Sequence, residues 1–301
     1  MKLFLLASLL LATPTWAALT DEQKRVPLEQ DSTDPKLAKI VLIAGSVSNK
    51  AGQHEYFAGC ALMMDWLKQT PGVWPVMAAE GWPQNEKILD GAKTIVIYAD
   101  GGPKLPFLEP ARWAKMKALM DAGTGFVMLH QAVDVPEDHA DELKSWLGGV
   151  WTKDIGSRGH WDMDFSGFPE HPATRGVAAF AAPGDGWLFN LHFAPGAKPL
   201  ITGKVPDKAR TTPDAKANAG RAETIGWSYE RPNGGRSFAF TGCDLHKNWL
   251  VEAQRRAVVN GILWTAHVDV PVGGAPVAMK PEQISTNMDA KPPAAAKAAA
   301  Q

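Results

Sequence analysis

The sequence predicts an α/β protein: a doubly wound, mainly parallel sheet with an antiparallel extension. Three observations predict it. Short apolar runs end repeatedly in glycine or polar residues. Helical stretches alternate with these runs through the first half. The second half instead carries strand patterns around a tight turn.

"KIVLIAG", residues 39–45, is a nearly continuous apolar run ending in Gly45, as in strands buried on both faces of a parallel sheet. In "HEYFAGCALMMDWLKQ", Phe57, Ala61, Met64 and Leu67 recur at helical spacing and predict an amphipathic helix. "WPVMAA" is a second strand, and "TIVIYADGG", residues 94–102, a third. "EPARWAKMKALMDAG" reads as a helix with proline near its start and glycine past its end. "GTGFVMLHQAVDVP", residues 123–136, holds a fourth strand that stops abruptly at His130 and Gln131. Beyond it, "RGHWDMDF", residues 158–165, alternates polar and apolar. "ETIGWSYERPNGGRSFAFTG", residues 223–242, forms two strands around the turn at Pro232–Gly235. "NWLVEAQRRAVVNGILWTAH" is a closing helix. These later elements are expected to extend the sheet and wall its edge within one domain, residues 38–271.

The ends differ in character. Lys2 and the apolar run Leu3–Leu11 precede small residues at Thr15 and Ala17. That is the pattern of a signal peptide, residues 1–18, cleaved after Ala17 or Ala18. The run is too short to span a bilayer, so the mature chain is expected in the periplasm or outside the cell, with no membrane attachment. Residues 19–37 are a polar lead-in. Residues 272–301, rich in Ala, Pro and Lys, are read as a flexible tail, because they offer little apolar surface to offset ordering entropy.

The formal net charge of −1 provides no basic field, which sets nucleic acid aside as a partner. Cys60 and Cys243 are read as two separate buried thiols, although their spacing leaves pairing open. The sequence has no GxSxG, no GxGxxG after the first strand, and no CxxC zinc spacing. Serine hydrolysis and dinucleotide binding are therefore not expected.

In doubly wound sheets, ligands bind outside the carboxyl ends of the strands. That rule selects Ser46, then Asp100 with Gly101 and Gly102, then His130 with Gln131. His54, opening the first helix, should face the same edge. His246, in "GCDLHKNW", lies in a loop that could cover it, and His160 begins the polar cluster His160-Trp161-Asp162. Neutral histidine near pH 7 serves as base or metal ligand. The expected catalytic set is His130, His54, His246 and Asp100. A zinc site drawn from His54, His130, His160 and His246 stays open, although "HEYFA" lacks the second histidine of HExxH. Tryptophan is frequent, twelve in all. Trp161, Trp187 and Trp249, beside His160, Asp162 and Asn248, suit a sugar ring with apolar faces and a hydroxyl rim. Packing explains them equally well.

With these residues in view, the chain resembles the ThuA-like family, named for trehalose utilisation. "GQHEY", "VIYADGG", "GFVMLHQAV", "GHWDMDF", "HPATRGV", "ETIGWSYERPNGGRSFAFTG" and "HKNW" followed by "NGILWTAHVDVP" carry the resemblance, over about residues 38–271. It implies a flavodoxin-like sheet of the class I glutamine amidotransferase-like fold, with His130 and Gln131 where the nucleophile elbow of that superfamily would be. No amidotransferase triad is then expected. Gly186 departs from the pattern, which would place an acidic residue beside Trp187. The resemblance implies a carbohydrate substrate and fixes no reaction. With the signal pattern and the histidines, the leading expectation is an exported protein of carbohydrate catabolism that acts on a glycoside or keto-sugar by histidine acid/base chemistry. Gly101, Gly102, Gln131, His160, Trp161, Asp162, Trp187, Asn248 and Trp249 would hold the sugar. A sugar-binding or scaffold protein and a metal-dependent hydrolase are the other readings, and a homo-oligomer fits each of them.

Overall fold

The apolar runs of the first half become buried parallel strands, and the helices between them cover both faces. A computed structural model describes residues 19–291; the expected signal segment and residues 292–301 lie outside the described residues. The first half contains β1 (Ala38–Ala44), α1 (Tyr56–Leu67), β2 (Val73–Ala78), β3 (Thr94–Tyr98), α2 (Pro110–Asp121), β4 (Gly125–Leu129) and α3 (Ala140–Leu147). Short strands follow: β5 (Gly149–Val150), β6 (Ser157–His160), β7 (Met163–Phe165), β8 (Phe180–Ala182), β9 (Gly186–Phe189) and β10 (His192–Phe193). The chain ends through β11 (Lys198–Lys204), α4 (Pro213–Ala217), β12 (Ala222–Glu230), β13 (Arg236–Phe240) and α5 (Glu252–Thr265).

The main sheet has the order β11-β12-β13-β4-β3-β1-β2. β2, β1, β3, β4 and β13 run parallel to one another. Counting along the chain, this is the 2-1-3-4-5 order of flavodoxin-like sheets. β12 and β11 extend it antiparallel, as the sequence predicts. The hairpin's second strand, β13, returns parallel to β4, so its carboxyl end joins those of β1, β3 and β4. No described helix is long and apolar enough to cross a membrane.

Two expectations are corrected. α1 is not amphipathic: of its twelve residues, all but Asp65 are buried. Its outer face is covered by the lead-in and the C-terminal segment, since Leu19, Val26 and Ile284 belong to the same apolar cluster as Met63 and Leu67. Nor is the stretch after residue 271 a free tail as far as it is described. Ala275 and Val277 are buried. Ala275 N–H donates to Asn260 Oδ1 at 2.8 Å, and Arg255 Nε donates to the Val277 carbonyl at 2.8 Å. The segment ends with Lys291 donating to the carbonyls of Gln53 at 2.5 Å and His54 at 2.9 Å, with Glu55 3.3 Å away. Small anchors and backbone hydrogen bonds hold what composition reads as disorder.

Candidate functional site

Four strand ends build the site, and the backbone there is unusual. His54 has φ 49°, His130 φ 52° and Cys243 φ 78°. Non-glycine residues seldom adopt this left-handed conformation, and they cluster where function requires it. At the end of β4 the turn at His130 throws the imidazole up above the sheet edge. At the end of β13 the turn at Cys243 does the same for Asp244. Asp185, wholly buried, accepts the N–H groups of Cys243 at 3.0 Å and Leu245 at 2.9 Å and so clamps that loop. Tyr98, the last residue of β3, donates its hydroxyl to the Cys243 carbonyl.

The hydrogen bonds fix the tautomer of His130, and the charge of its partner favours one tautomer for His54. His130 Nδ1 lies 3.0 Å from the Thr241 carbonyl oxygen, which can only accept. His130 Nδ1 therefore carries the hydrogen, and Nε2 presents a lone pair. His54 Nδ1 lies 2.9 Å from Asp100 Oδ1. Asp100 also receives the hydroxyls of Ser48 at 2.8 Å and Tyr56 at 2.7 Å, and the ammonium of Lys104 at 2.9 Å. Burial works against its charge, but the donors His54, Lys104, Tyr56 and Ser48 outweigh it and hold the carboxyl well below the usual carboxylate range. Ser48 Oγ at 3.0 Å and Tyr56 Oη at 2.8 Å also reach His54 Nδ1, but the charged Asp100 carboxylate is the strongest acceptor there, which favours the hydrogen on Nδ1 and a lone pair on Nε2. Burial pushes the His130 imidazole down to about 4, so it is neutral at pH 7.

The two Nε2 atoms face each other at 3.1 Å. Asp244 Oδ1 stands 3.3 Å from His54 Nε2 and 3.7 Å from His130 Nε2, with no hydrogen-bond partner. The other carboxylate oxygen, Oδ2, accepts from His160 Nε2 at 2.7 Å and from Gln53 Nε2 at 2.9 Å. His54, His130 and Asp244 are all buried, while the His160 side chain is 57% exposed at the rim. The centre opens into a cleft of about 380 Å³ bordered by Asn49, Gln131, Arg158, His160 and Trp187.

The structure brings together His54, Asp100, His130 and His160 from the expected set, and adds Asp244, Asp185, Gln53, Ser48 and Tyr56. The rest of the set is corrected. His246 packs away from the centre, donating through Nε2 to the Ile284 carbonyl at 2.9 Å, because Leu245 bridges Gln53 and turns the chain aside. Asp100 gives Oδ1 to His54, Ser48 and Tyr56 and Oδ2 to Lys104, so its contacts here orient His54. The Gly102 N–H is spent on the Asp134 carbonyl at 2.8 Å, and Gly101 lies flush against the Gln131 carbonyl. These glycines serve close backbone packing. Trp249 is fully buried against Trp66 and Tyr98. Trp161 packs edge-on against Phe189. Asp162 caps the Gly184 N–H, and Asn248 is buried, donating to the Pro183 carbonyl. Of the three tryptophans, Trp187 alone borders the cleft. Both cysteines are free and buried.

Residues 41–265 match the profile of the family described as ThuA, trehalose utilisation. The chain belongs to the ThuA family. A ThuA-like protein of Bacteroides uniformis has a similar structure, at 15% identity and a TM-score of 0.57, covering 82% of this chain and 98% of that one. One from Parabacteroides merdae is similar at 14% identity and a TM-score of 0.54, covering 82% and 99%. No curated protein matches the chain. The ThuA assignment points to a carbohydrate-related function, and the fold is the one the sequence predicts.

Proposed function

We propose that this protein is a carbohydrate-converting enzyme whose reaction centre is His54, His130, Asp244 and His160. The observation that carries the reading is the divided use of one carboxylate. Asp244 Oδ2 fixes His160, while Oδ1 is left bare beside two imidazole lone pairs. With Nε2–H donated to Asp244, the Nδ1 of the exposed His160 is left with a lone pair, as in a base oriented by a carboxylate. The substrate class is a glycoside or keto-sugar, and the family description supports it.

The reaction the residues suit is elimination from a keto-glycoside. His160 Nδ1 takes the proton on the carbon next to the ketone. The C–H electron pair forms a C=C bond, the bond to the glycosidic oxygen at the next carbon breaks, and the leaving oxygen takes a proton back. The products are an unsaturated ketone and the free alcohol, with no oxidant and no covalent nucleophile. The absence of a serine or cysteine elbow is consistent with this. The N-terminal pattern adds export to the periplasm as part of the proposal.

The test is product formation, followed by NMR, from a disaccharide and its keto derivative. Turnover of the keto-glycoside that falls by at least about 10²-fold in His160→Asn supports the reading. Unchanged turnover in that variant removes the assigned base. Sugar binding with no product from either compound would make the protein a binding module.

A further inference from the structure

We infer that His54 Nε2, His130 Nε2 and Asp244 Oδ1 form a binding site for one divalent transition-metal cation, of which zinc is the first candidate. The inference shares residues with the proposed reaction but does not depend on a sugar being its substrate.

Three features converge. First, the two Nε2 atoms stand 3.1 Å apart; with Nδ1–H of His130 given to the Thr241 carbonyl and that of His54 to Asp100, two lone pairs meet there, and a cation between them would relieve their repulsion. Second, Asp244 Oδ1 is buried without any partner and aims at the same place. A buried carboxylate oxygen is costly without compensation. Third, the separations of 3.1, 3.3 and 3.7 Å place a point at about 2.0 Å from all three atoms, which is the bond length zinc makes to imidazole nitrogen and carboxylate oxygen. Among the described residues, these three are the group of ligand-type side chains with every donor atom within 4.8 Å of the others.

The surroundings match those of a working metal site. Each ligand histidine donates its remote Nδ1–H, His54 to a carboxylate and His130 to a backbone carbonyl. That arrangement fixes the tautomer and makes Nε2 a better ligand. The third ligand is oriented through its other oxygen by His160 and Gln53. Three protein ligands leave a further position toward the cleft, as catalytic sites do and structural zinc sites do not. Two histidines with one carboxylate also suit iron(II) or manganese(II). The cation would bind a substrate oxygen and hold the negative charge that builds there when a neighbouring proton is removed. Lone pairs alone could not do that.

The experiment is calorimetric titration of chelator-treated full-length protein with Zn²⁺, Mn²⁺ and Fe²⁺ separately. Co²⁺ serves as a visible-absorption probe of the ligand set. The expected result is one equivalent of cation per chain, with a Co²⁺ spectrum of mixed nitrogen and oxygen ligation. His130→Gln and Asp244→Asn should abolish stoichiometric binding. Asp100→Asn, which leaves the ligands in place, should weaken it by about 10- to 100-fold. Circular dichroism verifies that each variant is folded. Folded wild-type protein that takes up none of these cations, or binding that is undiminished in both ligand variants, overturns the inference. Turnover without bound cation and indifferent to chelator would sink the metal site and leave the elimination standing. Stoichiometric binding without turnover would do the reverse.

Discussion

Gly186 lies flush against Asp244: a Cβ added at Gly186 would stand 2.6 Å from Asp244 Oδ2 and 2.9 Å from its Cγ. A side chain at position 186 would therefore collide with Asp244. The acid of this turn is Asp185, one position earlier, and it clamps the Asp244 loop by accepting two of its N–H groups. The residue after it must have no side chain. Gly186→Ala is expected to push Asp244 off both His160 and the imidazole pair. Overpacking of this kind costs about 1–3 kcal/mol, which a domain of this size survives. The expected outcome is a folded protein with turnover and cation binding both lost, checked by thermal melting beside calorimetry. Full binding in this variant would show that Asp244 has room to spare.

Lys291 ties the C-terminal segment to the site. Its ammonium meets two carbonyls of the His54 loop and the buried Glu55 carboxylate. Lys291→Ala leaves Glu55 and Asp289 without their cation, and removing one partner of a buried pair costs about 3–5 kcal/mol. Urea unfolding should show a loss of that order. A loss below about 1 kcal/mol, the value of an exposed pair, would mean that solvent reaches this contact.

His171 should make stability fall with acid. It caps a short turn, accepting the Ala173 N–H through Nδ1 at 3.1 Å, and its ring packs on Trp264. Burial, with help from Lys198, Arg236 and Arg175 and against the pull of Glu230, holds it down to about 4. Between the ordinary histidine value of about 6.5 and that value, the unfolded chain binds the proton and the folded one does not. Its contribution is therefore complete above about pH 6.5, is lost as pH falls through this window, and changes little below about 4. His171→Asn keeps a capping oxygen and removes the titration. Its unfolding free energy should vary less between pH 6.5 and 4 than that of the unmodified chain; an equal slope would remove His171 from the acid response.

Cys60 and Cys243 should resist thiol reagents in the folded protein. Both are fully buried, and burial pushes both thiols up, away from the reactive thiolate form. Ellman's reagent should find about two thiols after unfolding in denaturant and almost none before. Fast native labelling would show that the loop around Cys243 opens.

The strand-end rule found His54, Asp100 and His130 from sequence because their strands are unmistakable apolar runs whose order follows from short connections. Asp244 escaped for a definite reason. "FAFTGCD" ends a hairpin, and nothing in its residues says that β13 returns parallel to β4. Once that pairing is known, the same rule selects Asp244 directly. His246 follows it by two residues and was the more conspicuous choice. Only the bridge between Gln53 and Leu245 turns it away. The tryptophans misled because polar neighbours in sequence say little about which way a large ring packs. The C-terminal stretch misled because Ala275 and Val277 are too small to register in composition, although each fills a closed slot.

That stretch bears on where this protein ends as a physical object. The family match stops at residue 265, whereas the contacts that seat His54 reach residue 291. A gene trimmed to the matched region would encode every candidate ligand and lack the brace beneath one of them. Inactivity in such a fragment would report a missing support, with the chemistry itself untested.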